Sequence, residues 1–349
     1  MSGHAPSEPV AAAQLLRELR RQIGESSIEF KEPPRRILGG FEAFTYSFEL
    51  VVGQGDLSGP LILRLFPETS DAARGRKEAA FQNALHSLDY PAPRVVFHSD
   101  AGIGGLPFNL MKRVPGSPML AGMALDQNTV QQASVKLGEV HARLHNIPSG
   151  PVIAALEESG FKLADFSANR QFAGINRYFE DHGLEWLRPG MEWLLQHRPE
   201  GESIAVCHGD FHPGNIMVES GEVTGVIDWP GAALASPEHD VGTTIVLIKV
   251  AAGAVYPEAR PMLEFVASTY LSSYQALAPL DMERVDYHTA RRCFRAFVRG
   301  TASQVDGIRS DLLPRGGYPW ANESAMLAAR AELLRITGLD LPTPTDAGL

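Results

Sequence analysis

Apolar positions along the chain change their period more than once. Residues 10–23 repeat at helical spacing, with Leu15, Leu16, Leu19 and Ile23 on one stripe. Pro33-Pro34 closes this segment, because neither residue can donate a helical hydrogen bond. From Arg36 the period shortens to that of strands. Ile37-Leu38 runs into Gly39-Gly40, Phe41 to Val52 alternates around Phe44, Tyr46, Phe48 and Leu50, and Leu61 to Phe66 follows a loose turn at 53–59. The spacing predicts a helix over 71–88, closed by Pro91 and Pro93, and two further strands at Arg94–His98 and Phe108–Val114.

Past Pro115-Gly116 the helical period takes over, most clearly across Gln127–His145. A strand–loop–strand–turn–strand island interrupts it at 204–228, with strands expected at Ile204–Cys207, Asn215–Val218 and Val223–Ile227. Helices return over 241–252, 257–276, 284–303 and 322–336. The outline is an α+β chain. It has a helical extension over 1–33, a small β-rich lobe of five strands and a helix over 34–115, and a larger, mostly helical lobe over 116–349.

Composition narrows the class. A chain of 349 residues with 44% hydrophobic and 21% charged side chains is ordinary globular protein. No apolar run reaches the roughly 18–20 residues of a membrane helix, and Lys249 interrupts the longest candidate, Ile245 to Tyr256. The first thirty residues carry Glu8, Glu18, Glu25 and Glu29 and no apolar core, unlike a targeting peptide. Two cysteines, Cys207 and Cys293, need no oxidising compartment, so the cytoplasm is the expected location. The net charge of −10 is uneven: residues 1–115 hold 13 basic and 13 acidic side chains, leaving 18 basic and 28 acidic for residues 116–349. That balance speaks against a nucleic-acid partner, which needs a basic face, and leaves room for a cationic ligand in the second half.

The candidate chemistry sits in the island. His208-Gly-Asp-Phe-His-Pro-Gly-Asn215 contains H-x-D-x-x-x-x-N, and Asp228 follows on the next strand end. Phosphoryl transfer needs phosphates held in line, metal to neutralise developing charge and a carboxylate to receive the hydroxyl proton. Asp210 suits the carboxylate role, and Asn215 and Asp228 offer the hard oxygen ligands that Mg2+ prefers.

The string HGDFHPGN…GVIDWPGAALASPEHDVG resembles the signature of the aminoglycoside phosphotransferase-like family, which includes relatives of choline kinase. The resemblance runs from about Arg36 to Gly242. It implies a bilobal protein-kinase-like fold, a nucleotide (ATP, with GTP as the alternative) between the lobes, Mg2+, and a small-molecule hydroxyl acceptor. It also implies that Asp210 is the catalytic carboxylate within a catalytic loop at 206–229, that Asn215 and Asp228 hold the metal, and that His208 and Asp240 support the loop. Acceptor binding is expected from helices within 146–203 and 243–349, in a monomer or a homodimer with no membrane partner. In the first lobe Arg64 takes the place of the strand-borne cation that grips phosphates, with Glu78 as its partner. Gly39-Gly40 matches the phosphate-covering turn, though the G-x-G-x-x-G spacing is missing. Met111, Lys112 and Val114 match the hinge strand that meets the base.

Other readings have weaker support. His141 and His145 have the i, i+4 spacing of zinc ligands, but no Glu follows the first, so the H-E-x-x-H form is absent. No P-loop string exists. A protein kinase would need an A-P-E segment for which Trp229–Asp240 is too short, and a nucleotide-binding regulator without turnover would not need a complete set of catalytic positions. The acceptor stays open among antibiotics, amino alcohols, sugars and hydroxyacyl compounds.

Overall fold

Alternation in the first third of the chain resolves into one antiparallel sheet. The structure is a computed structural model describing residues 6–24, 27–38, 43–51, 55–121, 126–166, 175–304 and 323–346. Strands β1 (Phe30–Ile37), β2 (Phe44–Leu50), β3 (Pro60–Leu65), β4 (Val95–Ile103) and β5 (Leu106–Lys112) pair in the order β1-β2-β3-β5-β4. Helix α1 (Glu8–Ile23) lays Ala11, Leu15 and Leu19 into the same core as Tyr46, Phe48, Leu61, Leu63 and Leu110. Burying Leu15 and Leu19 stabilises by about 1.5–3 kcal/mol each, so the extension is part of this core rather than an appendage. Helix α2 (Ala72–Ser87) carries the buried Glu78.

Pro33-Pro34 does not end the extension but lies within β1, which among the described residues is an edge strand paired with β2 alone. The pairing register shifts between Glu32 and Arg35, at the two prolines. An edge strand with a bulge tolerates residues that lack an N–H, which the helix-stop reading ignored.

The remaining elements follow in chain order. Helices α3 (Gln127–His145), α4 (Ser149–Glu158), α5 (Ile175–His182) and α6 (Arg188–Gln196) precede strands β6 (Ala205–Cys207), β7 (Ile216–Glu219), β8 (Glu222–Val226) and β9 (Ala233–Ala235). Then come α7 (Pro237–Ile245), a π-helical stretch at Val246–Ala251, α8 (Ala252–Val255), α9 (Arg260–Gln275), α10 (Met282–Gln304) and α11 (Glu323–Thr337). The expected three-strand island divides between two sheets: β7 pairs with β8 in one, and β6 pairs with β9 in the other. Strand β9 is Ala-Leu-Ala, too short to show alternation, which is why the pattern missed it.

Packing divides the chain into two compact units: Met1–Ser117 with Gly150–Phe161 and Ile216–Pro230, and Pro118–Ser149 with Lys162–Asn215 and Gly231–Leu349. Strands β7 and β8, with Asp228, therefore group with the first unit rather than with the helical second half. The bonds responsible are Val226 N–H to Pro91 O at 2.7 Å and Thr224 Oγ1 to Pro115 O at 2.7 Å. Within the second unit Leu187, Met191, Phe294, Phe297, Met326 and Leu333 form the main core, with Trp186 and Trp193 packed on it. Both cysteines are buried and free, and burial pushes each thiol upward, so neither is a nucleophile. Among the described residues no helix is long and apolar enough to cross a membrane.

Candidate active site

The loop after β6 is built in the second unit. Gly209 has φ +79, and a Cβ there would lie 2.3 Å from Gly231 O. Only glycine fits both the left-handed backbone and that close crossing. His208 is fully buried, and its Nδ1 accepts the Asp210 N–H at 3.2 Å. The chain then closes a short turn in which Asn215 N–H donates to His212 O at 2.9 Å. Asn215 Nδ2 donates to Asp210 main-chain O at 2.9 Å and to Asp210 Oδ2 at 3.3 Å. Burial alone would raise the Asp210 carboxyl, but His212, His208 and Arg292 outweigh it and hold it below the usual carboxylate range. The result is an ionised carboxylate whose side chain is still 39% exposed. Such a group can receive a proton from a ligand.

Asp240 holds the loop from beneath. It is fully buried and accepts from His208 N–H at 2.5 Å, Gly209 N–H at 2.8 Å, His141 Nε2 at 3.0 Å and His145 Nε2 at 3.3 Å. Burial pulls its carboxyl upward, but the histidines prevail and hold it well below the usual range. An ionised carboxylate only accepts, so both imidazoles carry their proton on Nε2. Their Nδ1 atoms then accept from Tyr270 Oη at 2.7 Å and Tyr274 Oη at 2.6 Å. Thr244 Oγ1 adds a bond to Phe211 O at 2.9 Å, and the His141 ring stacks on Phe211 at 3.9 Å. The ligand atoms of His141, His145 and Asp240 lie within 4.8 Å of one another, close enough for a cation. Two amide N–H groups point at the same carboxylate, however, so the trio acts as a hydrogen-bonded brace, in line with the missing H-E-x-x-H form.

The brace makes stability depend on pH. Burial, then the neighbouring His145, pushes His141 from 6.5 down to about 4, and burial likewise lowers His239 and His288. Between those limits the unfolded chain binds protons that the folded chain refuses, so stability is present above about pH 6.5 and is lost as pH falls toward 4. Thermal melts from pH 7.5 to 4 should show Tm falling through this window; a flat Tm would contradict neutral burial of these imidazoles.

The first unit carries a second cluster. Arg64 on β3 lies with Nε 3.2 Å from Glu78 Oε1 and Nη1 2.9 Å from Asp228 Oδ1. Glu78 is buried, and Gln82 Nε2 donates to its Oε1 at 3.2 Å. The Arg64–Glu78 pair was legible in the sequence; the contact to Asp228 was not. Asp228 sits at φ 69, a conformation that non-glycine residues rarely adopt. It is held there by its neighbour Trp229, which is buried, donates Nε1–H to Val226 O at 2.7 Å and meets Tyr90 edge-on.

Met111 on β5 is buried against Ala79, Val95 and Ile62. The N–H groups of Lys112 and Arg113 donate to Arg94 O at 2.9 Å and Pro60 O at 3.0 Å, at the end of the sheet. Val114 covers Gly225, where a Cβ would fall 2.4 Å from its Cγ1. Gly39 and Gly40 lie outside the described residues.

The profile of the family described as "Phosphotransferase enzyme family" matches residues 35–280. The chain belongs to that family. Among curated relatives, Acyl-CoA dehydrogenase family member 10 of Mus musculus is 27% identical over 174 residues, which are 47% of this chain and 16% of the mouse protein. Among solved structures, the ADP-bound aminoglycoside phosphotransferase APH(2'')-Ib has a TM-score of 0.58 at 14% identity, covering 93% of this chain and 99% of its own. Macrolide 2'-phosphotransferase type I has a TM-score of 0.51 at 17% identity, covering 95% and 99%. These likenesses establish the protein-kinase-like α+β fold of this phosphotransferase-family member. Sequence reasoning missed Tyr270, Tyr274 and Thr244; the matching i, i+4 spacings of His141/His145 and Tyr270/Tyr274 were the available signal.

Proposed function

We propose that this phosphotransferase-family member moves the γ-phosphate of ATP or GTP to a hydroxyl of a small molecule. The observation that carries the reading is the Asp210 carboxylate: ionised, partly exposed and fixed by Asn215 on a loop that Asp240 braces. The acceptor oxygen attacks the γ-phosphorus, its proton passes to Asp210, and the bond to the bridging oxygen breaks as the nucleoside diphosphate leaves. Arg64, steadied by Glu78, would grip phosphate oxygens with its planar fork. Met111, Lys112 and Val114 would meet the base, and Gly39-Gly40 would cover the phosphates. Helices within 146–203 and 243–349 would hold the acceptor.

The residues present also suit Mg2+. Both hydrogen bonds of the Asn215 side chain use Nδ2, which leaves Oδ1 as the atom that would ligate, and Asp228 would supply a carboxylate. Both are hard oxygen donors. When bound, Mg2+ would neutralise charge developing on the phosphate oxygens. The solved relatives are aminoglycoside and macrolide phosphotransferases, which supports a hydroxylated small molecule as acceptor.

Titration calorimetry with ATP and GTP, with and without Mg2+, tests the metal assignment. Asp228→Ala should weaken Mg-nucleotide binding by about tenfold or more, which is roughly 1.4 kcal/mol per factor of ten. Equal Mg2+ dependence in wild type and variant would remove Asp228 from the site.

A further inference from the structure

The loop contains a second imidazole that the proposed chemistry does not use. His212 Nδ1 accepts the Gly214 N–H at 3.1 Å, which requires a lone pair on Nδ1 and puts the ring proton on Nε2. Nε2 lies 3.7 Å from Asp210 Oδ2, the same oxygen that Asn215 Nδ2 reaches at 3.3 Å. Gly214 makes this ring position available, since a Cβ there would sit 2.8 Å from His212 Cε1 and 3.0 Å from Nδ1. The glycine does not serve a left-handed turn, because it is absent from the positive-φ glycines. Its evident role is to leave room for the ring.

We propose that His212 is a positioning residue for Asp210: its Nε2–H and Asn215 Nδ2 together fix Oδ2, and Oδ1 is thereby presented to the acceptor hydroxyl. The inference rests on the phosphotransfer reading above and deepens it. A separation of 3.7 Å is longer than a formed hydrogen bond, as is common at unliganded sites whose bonds tighten around substrate. Without the imidazole the carboxylate is held from one side only and can rotate about Cβ–Cγ. Misplacement of a reacting group by about 1 Å can cost on the order of 100-fold in rate.

The test uses the full chain with water as the acceptor, so no acceptor need be known. It measures ADP release from Mg-ATP together with binding of a fluorescent ATP analogue. His212→Ala should lower kcat by about 10- to 100-fold, with nucleotide affinity and Tm close to wild type because the ring is partly exposed. His212→Gln, which returns an N–H near the Nε2 position, should recover most of the rate. In an Asp210→Asn background, His212→Ala should change nothing further, since the group it positions is already disabled. Gln as slow as Ala, the same loss in the Asp210→Asn background, or a wild-type rate for His212→Ala would each overturn the proposal while leaving phosphotransfer standing. Full activity of Asp210→Asn would overturn both.

Discussion

Asp210→Ala should lower turnover by about two to four orders of magnitude, the usual contribution of a proton-accepting group, with nucleotide affinity within a few-fold of wild type. The expectation of intact binding follows from how the loop is held. Asp240 anchors the N–H groups of His208 and Gly209, Thr244 anchors Phe211 O, and Asn215 Nδ2 bonds the main-chain O of residue 210, which survives the substitution. Alanine therefore removes the carboxylate without removing the loop's supports. Single-turnover kinetics beside nucleotide titration separates the two effects. A large loss of affinity together with rate would mean that Asp210 holds the nucleotide and is not the proton acceptor.

Asp240→Ala should have the largest effect on stability. It strips the acceptor from two backbone N–H groups and two imidazole N–H groups, all within a buried centre. An orphaned buried donor costs about 1–3 kcal/mol, and removing one member of a buried charged network costs about 3–5 kcal/mol. Against a total stability of about 5–15 kcal/mol, the variant should unfold at far lower denaturant or fail to accumulate folded. Asp240→Asn should be intermediate, because its amide oxygen still accepts while its NH2 faces donors. Denaturant melts of both variants check this; a wild-type midpoint for Asp240→Ala would show that the four bonds add little.

Local features of the fold were legible in the sequence. Helix α3 was expected over the same residues, Gln127–His145, because a long amphipathic repeat is self-contained. The loop from His208 to Asn215 was legible for the same reason: its donors and acceptors lie within eight consecutive residues. Features made by distant partners were not. The bond between Arg64 and Asp228 spans 164 positions, and those from His141 and His145 to Asp240 span 99 and 95. The sequence could set zinc aside for the two histidines, because H-E-x-x-H is missing, but it could not show that their Nε2 atoms serve a carboxylate on another helix. Pro33-Pro34 misled because proline stops helices and also tolerates sheet edges, and only the pairing of β1 tells which applies. The hairpin carrying Asp228 was placed by chain order with the second half, whereas its hydrogen bonds to Pro91 and Pro115 place it in the first unit.

The proposed reaction is transfer of a nucleotide γ-phosphate to a hydroxyl under the guidance of Asp210. Its most direct test is coupled ADP or GDP release, measured with Mg2+ and either nucleotide, across aminoglycosides, macrolides, choline-like amines, sugars and hydroxyacyl thioesters. Phosphorus NMR of any product would then identify the bond formed. The expected result is Mg2+-dependent release that rises with one hydroxylated acceptor, a phosphate monoester on that acceptor, and loss of both in Asp210→Ala. Phosphate found on nitrogen or carboxylate, or acceptor-stimulated release that persists at wild-type rate in Asp210→Ala, would contradict it.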